Sequence, residues 1–115
     1  MSRECIFYLE DMLESCNRIL LYVKDLTFEQ FKQDLKTFDA TVRNLEIIGE
    51  AAKQIPDNIR AMMPEIEWRK AAGLRDMLIH AYFGIDNAIL WDVVQNKIPE
   101  LKEAISLLLV RLSDR

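Results

Sequence analysis

The sequence predicts an all-α protein, an antiparallel bundle of about five helices in a single domain that covers residues 1–115. Half of the 115 residues are hydrophobic, which is enough to bury a core, and only three glycines and three prolines are available for turns. Apolar residues recur at three- and four-residue steps through most of the chain, which is the period of an amphipathic helix. Because the breaks between these segments are short, neighbouring helices are expected to pack antiparallel.

The first helix is predicted over residues 4–24. Its apolar stripe consists of Cys5, Leu9, Met12, Cys16, Ile19 and Val23. Along such a helix the two cysteines are about 16 Å apart, too far for a disulfide. They are therefore expected to be reduced core thiols, as in a cytoplasmic protein.

The second helix is predicted to start at a capping box formed by Thr27 and Gln30. It is expected to continue as one long helix until Pro56 ends it. Its predicted apolar stripe consists of Phe31, Leu35, Phe38, Val42, Leu45, Ile48, Ala52 and Ile55. Residues 57–63 are predicted to form one or two short turns.

The remaining helices are predicted from their caps. A third long helix is expected over residues 65–83, with Gly84 as its left-handed C-cap. Asp86 can cap a short helix that runs to residue 95, and Pro99 fits the first turn of a last helix that ends near Leu112. This last helix has more apolar residues than one face of a bundle needs, which indicates either burial on two sides or a dimer interface.

The charge and the hydropathy pattern narrow the range of partners. The formal net charge is −4, and an acidic chain binds nucleic acid poorly unless it forms a local basic cleft, so we expect no DNA partner. No run approaches the roughly 20 apolar residues of a membrane span, and the N-terminus has no signal-peptide pattern. Neither a membrane partner nor a metal or other cofactor is expected, since the chain has one histidine and two distant cysteines.

The segment RDMLIHAY, residues 75–82, combines an arginine with the single histidine of the chain. Arginine is a permanently charged anion binder and histidine moves protons near neutral pH, so Arg75 and His80 are candidate catalytic residues for phosphate-ester chemistry. On a regular helix Tyr82 falls within about 20° of Arg75, whereas His80 lies about 140° away. Either the long arginine closes part of this gap, the helix is distorted near His80, or the arginine of one subunit works with the histidine of another. The same spacing also arises by chance in helices whose histidine only packs.

Three acidic residues are candidates to support this pair. An arginine on an apolar face is costly unless an acid or a phosphate pairs with it, and Glu46 or Glu50 of the second helix could do so. Asp76 lies one turn before His80, where its carboxylate could orient the imidazole or raise its pKa.

The pattern Arg75-x4-His80-x-Tyr82 resembles the signature of the HepT-like branch of the HEPN superfamily. The context of this motif is also similar to that family at residues 43–51 (RNLEIIGEA), 68–75, 82–86, Trp91 and 98–101 (IPEL). One departure is visible, because many members have asparagine directly after the motif arginine and this chain has Asp76.

The resemblance implies an HEPN-like homodimer whose motifs meet in a cleft at the interface. Members cut RNA without a metal, so His80 would act on the 2′-hydroxyl or the leaving oxygen, and Arg75 would stabilise phosphoryl charge. The resemblance further implies a toxin–antitoxin pair in which a minimal nucleotidyltransferase antitoxin transfers AMP to Tyr82. The alternative is a non-catalytic HEPN interaction or antitoxin subunit that binds the nucleotidyltransferase, in which case the motif is a nucleotide-binding relic. For Tyr82 itself, the alternative to an AMP acceptor is a buried ring whose hydroxyl bonds to a neighbour.

Overall fold

The computed structural model describes residues 3–82 and 86–113, with side chains described for 3–78 and 86–113, and every regular element in these ranges is a helix. The elements in chain order are α1 (Arg3–Val23), α2 (Phe28–Gln33), α3 (Leu35–Lys53), α4 (Asp57–Arg60), α5 (Trp68–Ala72), α6 (Leu74–Tyr82), α7 (Asn87–Asp92), a π-helical turn (Val93–Lys97) and α8 (Ile98–Ser113). The all-α prediction is confirmed. No described helix is both long enough and apolar enough to cross a membrane.

The core is built on α1, which packs against α3 on one side and α8 on the other. All six residues of the apolar stripe predicted for α1 are buried, and Leu9, Met12, Cys16 and Ile19 are fully so. Burial raises the pKa of the Cys16 thiol to about 12, and both cysteines are free, as predicted. At the far end of α8, Arg111 donates a hydrogen bond to the carbonyl oxygen of Met62 at 3.0 Å, which fixes that end beside the loop after α4.

The predicted second helix is broken at Asp34, so the expectation of one continuous helix was wrong. The capping box at Thr27 is present, but the helix that it opens ends at Gln33. The Asp34 carboxylate then caps α3, accepting hydrogen bonds from the backbone N–H of Thr37 at 3.1 Å and from its hydroxyl at 2.8 Å. The break changes the phase of the apolar stripe, and Leu35, predicted to be in the core, is 70% exposed.

The Asp34 cap makes stability depend on pH. The hydrogen bonds from the Thr37 backbone and then its side chain hold the pKa of Asp34 below its ordinary value of 3.8. A depressed folded-state pKa stabilises the fold above the unfolded pKa, and this contribution is lost as the pH falls through the folded value. We expect Asp34→Ala to lower the melting temperature at pH 7, and the difference from the wild type to shrink below pH 3.8. Thermal unfolding followed by circular dichroism measures both, and an equal difference at pH 7 and pH 3 would contradict this account.

The predicted third helix is also broken, at Gly73. It starts only at Trp68, whose indole N–H donates to the carbonyl oxygen of Met63 at 3.1 Å, and α5 ends at Ala72. Glycine weakens a helix interior by about 1 kcal/mol relative to alanine, so the helix is most easily interrupted at this position. The two pieces on either side, α5 and α6, both pack against α3. The predicted end at Phe83 and the Gly84 cap lie outside the described residues.

The last two helices are joined without the predicted gap. Asp86 caps α7 as expected, its carboxylate accepting from the backbone N–H of Ala88 at 2.9 Å. The chain then continues through the π-helical turn, in which the N–H of Ile98 bonds to the carbonyl oxygen of Val93, directly into α8. In an α-helix the ring of Pro99 would clash with a carbonyl one turn earlier, and the wider π turn accommodates it.

The surplus of apolar residues on α8 is only partly covered within one protomer. Ile105, Leu108 and Leu112 are buried, whereas Leu107 is 47% and Val110 is 55% exposed. Of the two explanations for the surplus, burial of α8 on two sides within one chain therefore does not account for Leu107 and Val110. A dimer interface on this helix stays a prediction.

Candidate active site

Arg75 is held at the start of α6 by an ion pair with α3. Its Nη1 lies 2.7 Å from Oε1 of Glu50, and each side chain is about half exposed. Of the two acids considered from the sequence, Glu50 is therefore the partner of Arg75. Glu46 instead lies 3.5 Å from Nη1 of Arg43. The Arg75 guanidinium is thus oriented by a carboxylate while it stays accessible to an anion from solvent.

Close approach between α3 and the start of α6 depends on Gly49, one residue before Glu50. A Cβ atom added at Gly49 would lie 3.2 Å from the backbone nitrogen of Arg75 and 3.4 Å from the carbonyl oxygen of Ala71. Glycine favours this close approach, because a side chain here would push one of the two backbones back by a few tenths of an ångström. The α5–α6 break and this contact together place Arg75 over Glu50.

Two glycine substitutions test this arrangement. Gly49→Ala is expected to destabilise the fold by about 1 kcal/mol, because overpacking outweighs the gain in helix propensity. Gly73→Ala is the comparison, since Gly73 has φ −81° and ψ −3°, which any residue adopts. A Cβ there would meet only carbonyl oxygens of its own preceding turn, that of Arg69 at 3.3 Å and that of Lys70 at 3.6 Å, and no other helix, so Gly73→Ala should cost clearly less than Gly49→Ala. Urea unfolding measures both, and equal effects at the two positions would contradict the role given to Gly49.

A groove of about 430 Å³ opens beside the ion pair, between α1, α3 and α6. Its charged and aromatic lining consists of Tyr8, Asp11, Arg43, Glu46, Glu50 and Arg75. Tyr8 and Asp11 were missed from the sequence, because their place on the edge of the α1 stripe gives no signal until α3 is packed against it. Arg43 forms a local ion pair with Glu46 and also lines this groove.

His80 and Tyr82 both belong to α6, whose backbone is an unbroken α-helix from Leu74 to Tyr82. Their side chains lie outside the described ones. The helix distortion considered for the neighbourhood of His80 is not found, because the break occurs at Gly73, before Arg75. The positions of Arg75 and His80 therefore stay about 140° apart around the helix axis.

Asp76, the two tryptophans and Arg60 do not line this groove, and their surroundings are as follows. Asp76 is exposed and forms no hydrogen bond or ion pair with a described residue, so its predicted action on His80 stays a prediction. Trp68 is buried, and the Trp91 ring packs 5.0 Å from that of Phe31, so both rings pack into the core. Arg60 bonds to the carbonyl oxygen of Ala52 at 2.9 Å and serves the end of α3. Within the described side chains, no group of three His, Cys, Asp or Glu residues is arranged to hold a metal ion.

Comparisons with known proteins give this arrangement a context. The family model described as "Ribonuclease HepT-like" matches residues 12–108. The "Probable ribonuclease HepT" of Thermococcus cleftensis is 48% identical over 102 residues, which is 89% of this chain and 93% of that protein. A protein of Methanocaldococcus jannaschii named "Putative RNase" is 45% identical over 84% of this chain and 80% of its own length. A second protein of that organism, also named "Putative RNase", is 36% identical over 98% of this chain and 97% of its own length.

No solved structure matches the chain. The family model nevertheless covers well over half of it, and the matches cover 80–97% of the length of these three relatives. These findings confirm the resemblance that the residues around Arg75 indicated. The chain belongs to the ribonuclease HepT-like family.

Proposed function

We propose that this protein is a metal-independent endoribonuclease and the toxin of a toxin–antitoxin pair with a minimal nucleotidyltransferase. The observation that carries this proposal is the Arg75–Glu50 pair, at 2.7 Å, which presents a guanidinium at a solvent-open groove in a chain of the HepT-like family. Arginine in such a place suits an RNA phosphate, which it can contact with two N–H groups.

The reaction is an internal displacement at phosphorus. The 2′-hydroxyl loses its proton to a base, its oxygen attacks the adjacent phosphorus, and the bond from phosphorus to the 5′-oxygen breaks as that oxygen gains a proton from an acid. The products are a 2′,3′-cyclic phosphate and a 5′-hydroxyl. Histidine is the side chain suited to both proton transfers near neutral pH, and Arg75 stabilises the charge on the crowded phosphoryl oxygens.

A homodimer supplies what one chain lacks. Each chain has a single histidine, but the reaction needs a base and an acid, and two subunits bring two His80 side chains. The wide angle between the positions of Arg75 and His80 on the straight α6 favours a site to which both subunits contribute. The exposed Leu107 and Val110 of α8 are apolar residues that a second copy could cover.

Tyr82 is proposed as the residue through which the partner silences the toxin. Its position on α6 lies within about 20° of that of Arg75 around the helix axis and about 10 Å further along it, a distance that an attached nucleotide can span to reach the guanidinium. In the transfer, the Tyr82 hydroxyl oxygen attacks the α-phosphorus of ATP, its proton goes to solvent, and pyrophosphate leaves. The bound AMP adds bulk and a negative charge beside Arg75, which excludes an RNA phosphate.

RNA cleavage in excess chelator tests the nuclease proposal directly. Purified protein, shown by mass to be unmodified, is expected to cut single-stranded RNA and to leave a 2′,3′-cyclic phosphate and a 5′-hydroxyl, because no step needs a metal. Failure to cut a varied set of RNA substrates would instead favour a non-catalytic subunit that binds the nucleotidyltransferase. That alternative draws support from Glu50, which already neutralises Arg75 in the free chain.

A further inference from the structure

The α1 wall of the groove presents a carboxylate that the fold does not use. Of the three acids that line the groove, Glu50 is paired with Arg75 and Glu46 with Arg43. Asp11 has no hydrogen bond or ion pair among the residues that the structure describes, and it is exposed. This unpaired carboxylate, in the same groove as Arg75, is therefore available to accept hydrogen bonds from whatever occupies the groove.

We propose that this groove binds the base next to the scissile phosphate and selects guanine, with Asp11 as the residue that determines this specificity. The inference rests on the proposed ribonuclease activity. The Asp11 carboxylate repels a phosphate on its own wall of the groove, so the group that binds there, beside the phosphate held by Arg75, must offer hydrogen-bond donors. The Watson–Crick edge of guanine carries two neighbouring donors, N1–H and N2–H, which match the two oxygens of one carboxylate. Uracil, cytosine and adenine lack this pair of adjacent donors.

Two other side chains complete a site for a flat base. Tyr8 lies one helical turn before Asp11 in the same wall, and aromatic rings are the usual stacking surface for unpaired bases. Arg43 is 71% exposed and only loosely paired at 3.5 Å, so its guanidinium can turn to the O6 and N7 acceptors that arginine reads in guanine. The groove volume of about 430 Å³ is in the roughly 300–1,000 Å³ range of sites for small groups.

The first test is the base preference of cleavage. The substrates are oligoribonucleotides of uridine that contain a single guanosine, adenosine or cytidine, and the readout is the ratio of cleavage rates beside each base. We expect the wild type to prefer guanosine and Asp11→Asn to lose that preference by roughly tenfold or more, as for other bidentate base contacts. Glu10→Gln removes the same charge from the neighbouring residue of α1, outside the groove, and should keep the preference. Equal preference in the wild type and Asp11→Asn would overturn the inference.

A binding measurement separates this inference from the proposed activity. His80→Ala is titrated with the same labelled oligoribonucleotides, and fluorescence anisotropy gives the affinity for each base. Guanosine-selective binding without any cleavage by the wild type would refute the nuclease and retain the base site. Cleavage without base preference would support the nuclease and refute the base site. If the protein neither cleaves RNA nor binds guanosine selectively, both proposals are wrong.

Substitution of Tyr8 tests the stacking part of the site. Tyr8→Phe keeps the ring and should bind all three oligoribonucleotides as the parent does. Tyr8→Leu should weaken binding to all of them by roughly tenfold, which is the scale of one stacked base.

If Asp11→Asn changes the oligomeric state in sedimentation and leaves the base ratio unchanged, the groove is a contact between copies of the chain, and the proposal of a base site is wrong.

Discussion

Replacing His80 or Arg75 with alanine should reduce RNA cleavage by roughly a hundredfold or more, whereas Arg69→Ala should cleave like the wild type. General acid–base groups typically contribute about 10²–10⁴ in rate, and a group that stabilises developing charge contributes about 10²–10³. Arg69 is the matched control, because it is an exposed arginine on α5 that does not line the groove. The measurement is the initial rate of cleavage in excess chelator.

Folding must be excluded as the cause of such a loss. Arg75 is about half exposed and makes one ion pair, so its removal should leave the melting temperature nearly unchanged. Arg75→Ala and His80→Ala should therefore be folded and inactive. Retained cleavage in His80→Ala would exclude this histidine from the chemistry and favour the interaction-subunit alternative.

Incubation with ATP and the nucleotidyltransferase should add one AMP to the wild type and abolish its cleavage, and Tyr82→Phe should escape both effects. The reason is that phenylalanine lacks the hydroxyl oxygen that attacks the α-phosphorus, while the shape of the ring is kept. Intact-mass measurement before and after incubation, followed by the cleavage assay, gives both readouts.

Tyr22→Phe serves as the control for this experiment, since it removes a hydroxyl from α1 about 16 Å of helix beyond Asp11 and does not line the groove beside Arg75. This variant should be modified and silenced like the wild type. Addition of AMP to Tyr82→Phe at the wild-type rate would show that the acceptor is another residue, and silencing without a mass change would indicate inhibition by binding alone.

The predictions that proved correct are those that depend on local features of the sequence. The buried stripe of α1, the capping box at Thr27 and the cap at Asp86 depend on residues only a few positions apart, and all three are present. The two breaks, at Asp34 and Gly73, were missed because apolar residues continue at helical spacing on both sides of each. A periodic pattern cannot show where packing against another helix interrupts it.

The sequence named candidate residues for the site, and the structure decides which acid pairs with Arg75. Spacing limited the acid partner of Arg75 to Glu46 or Glu50, which lie one turn apart on the same face of α3. The choice between them depends on how α3 and α6 are rotated against each other, which the contact at Gly49 fixes. Tyr8 and Asp11 could not be predicted, because only the packing of α1 beside α3 brings them to the groove.

The buried thiol of Cys16 gives this protein an internal reporter of its own opening. A thiol reacts as the thiolate, and burial holds the pKa of Cys16 at about 12, so the native state should be almost inert to thiol reagents. Labelling must then proceed through molecules in which α1 has separated from α3 and α8. The labelling rate of Cys16, measured in a Cys5→Ala background, would report the population of such open states with no probe added to the chain.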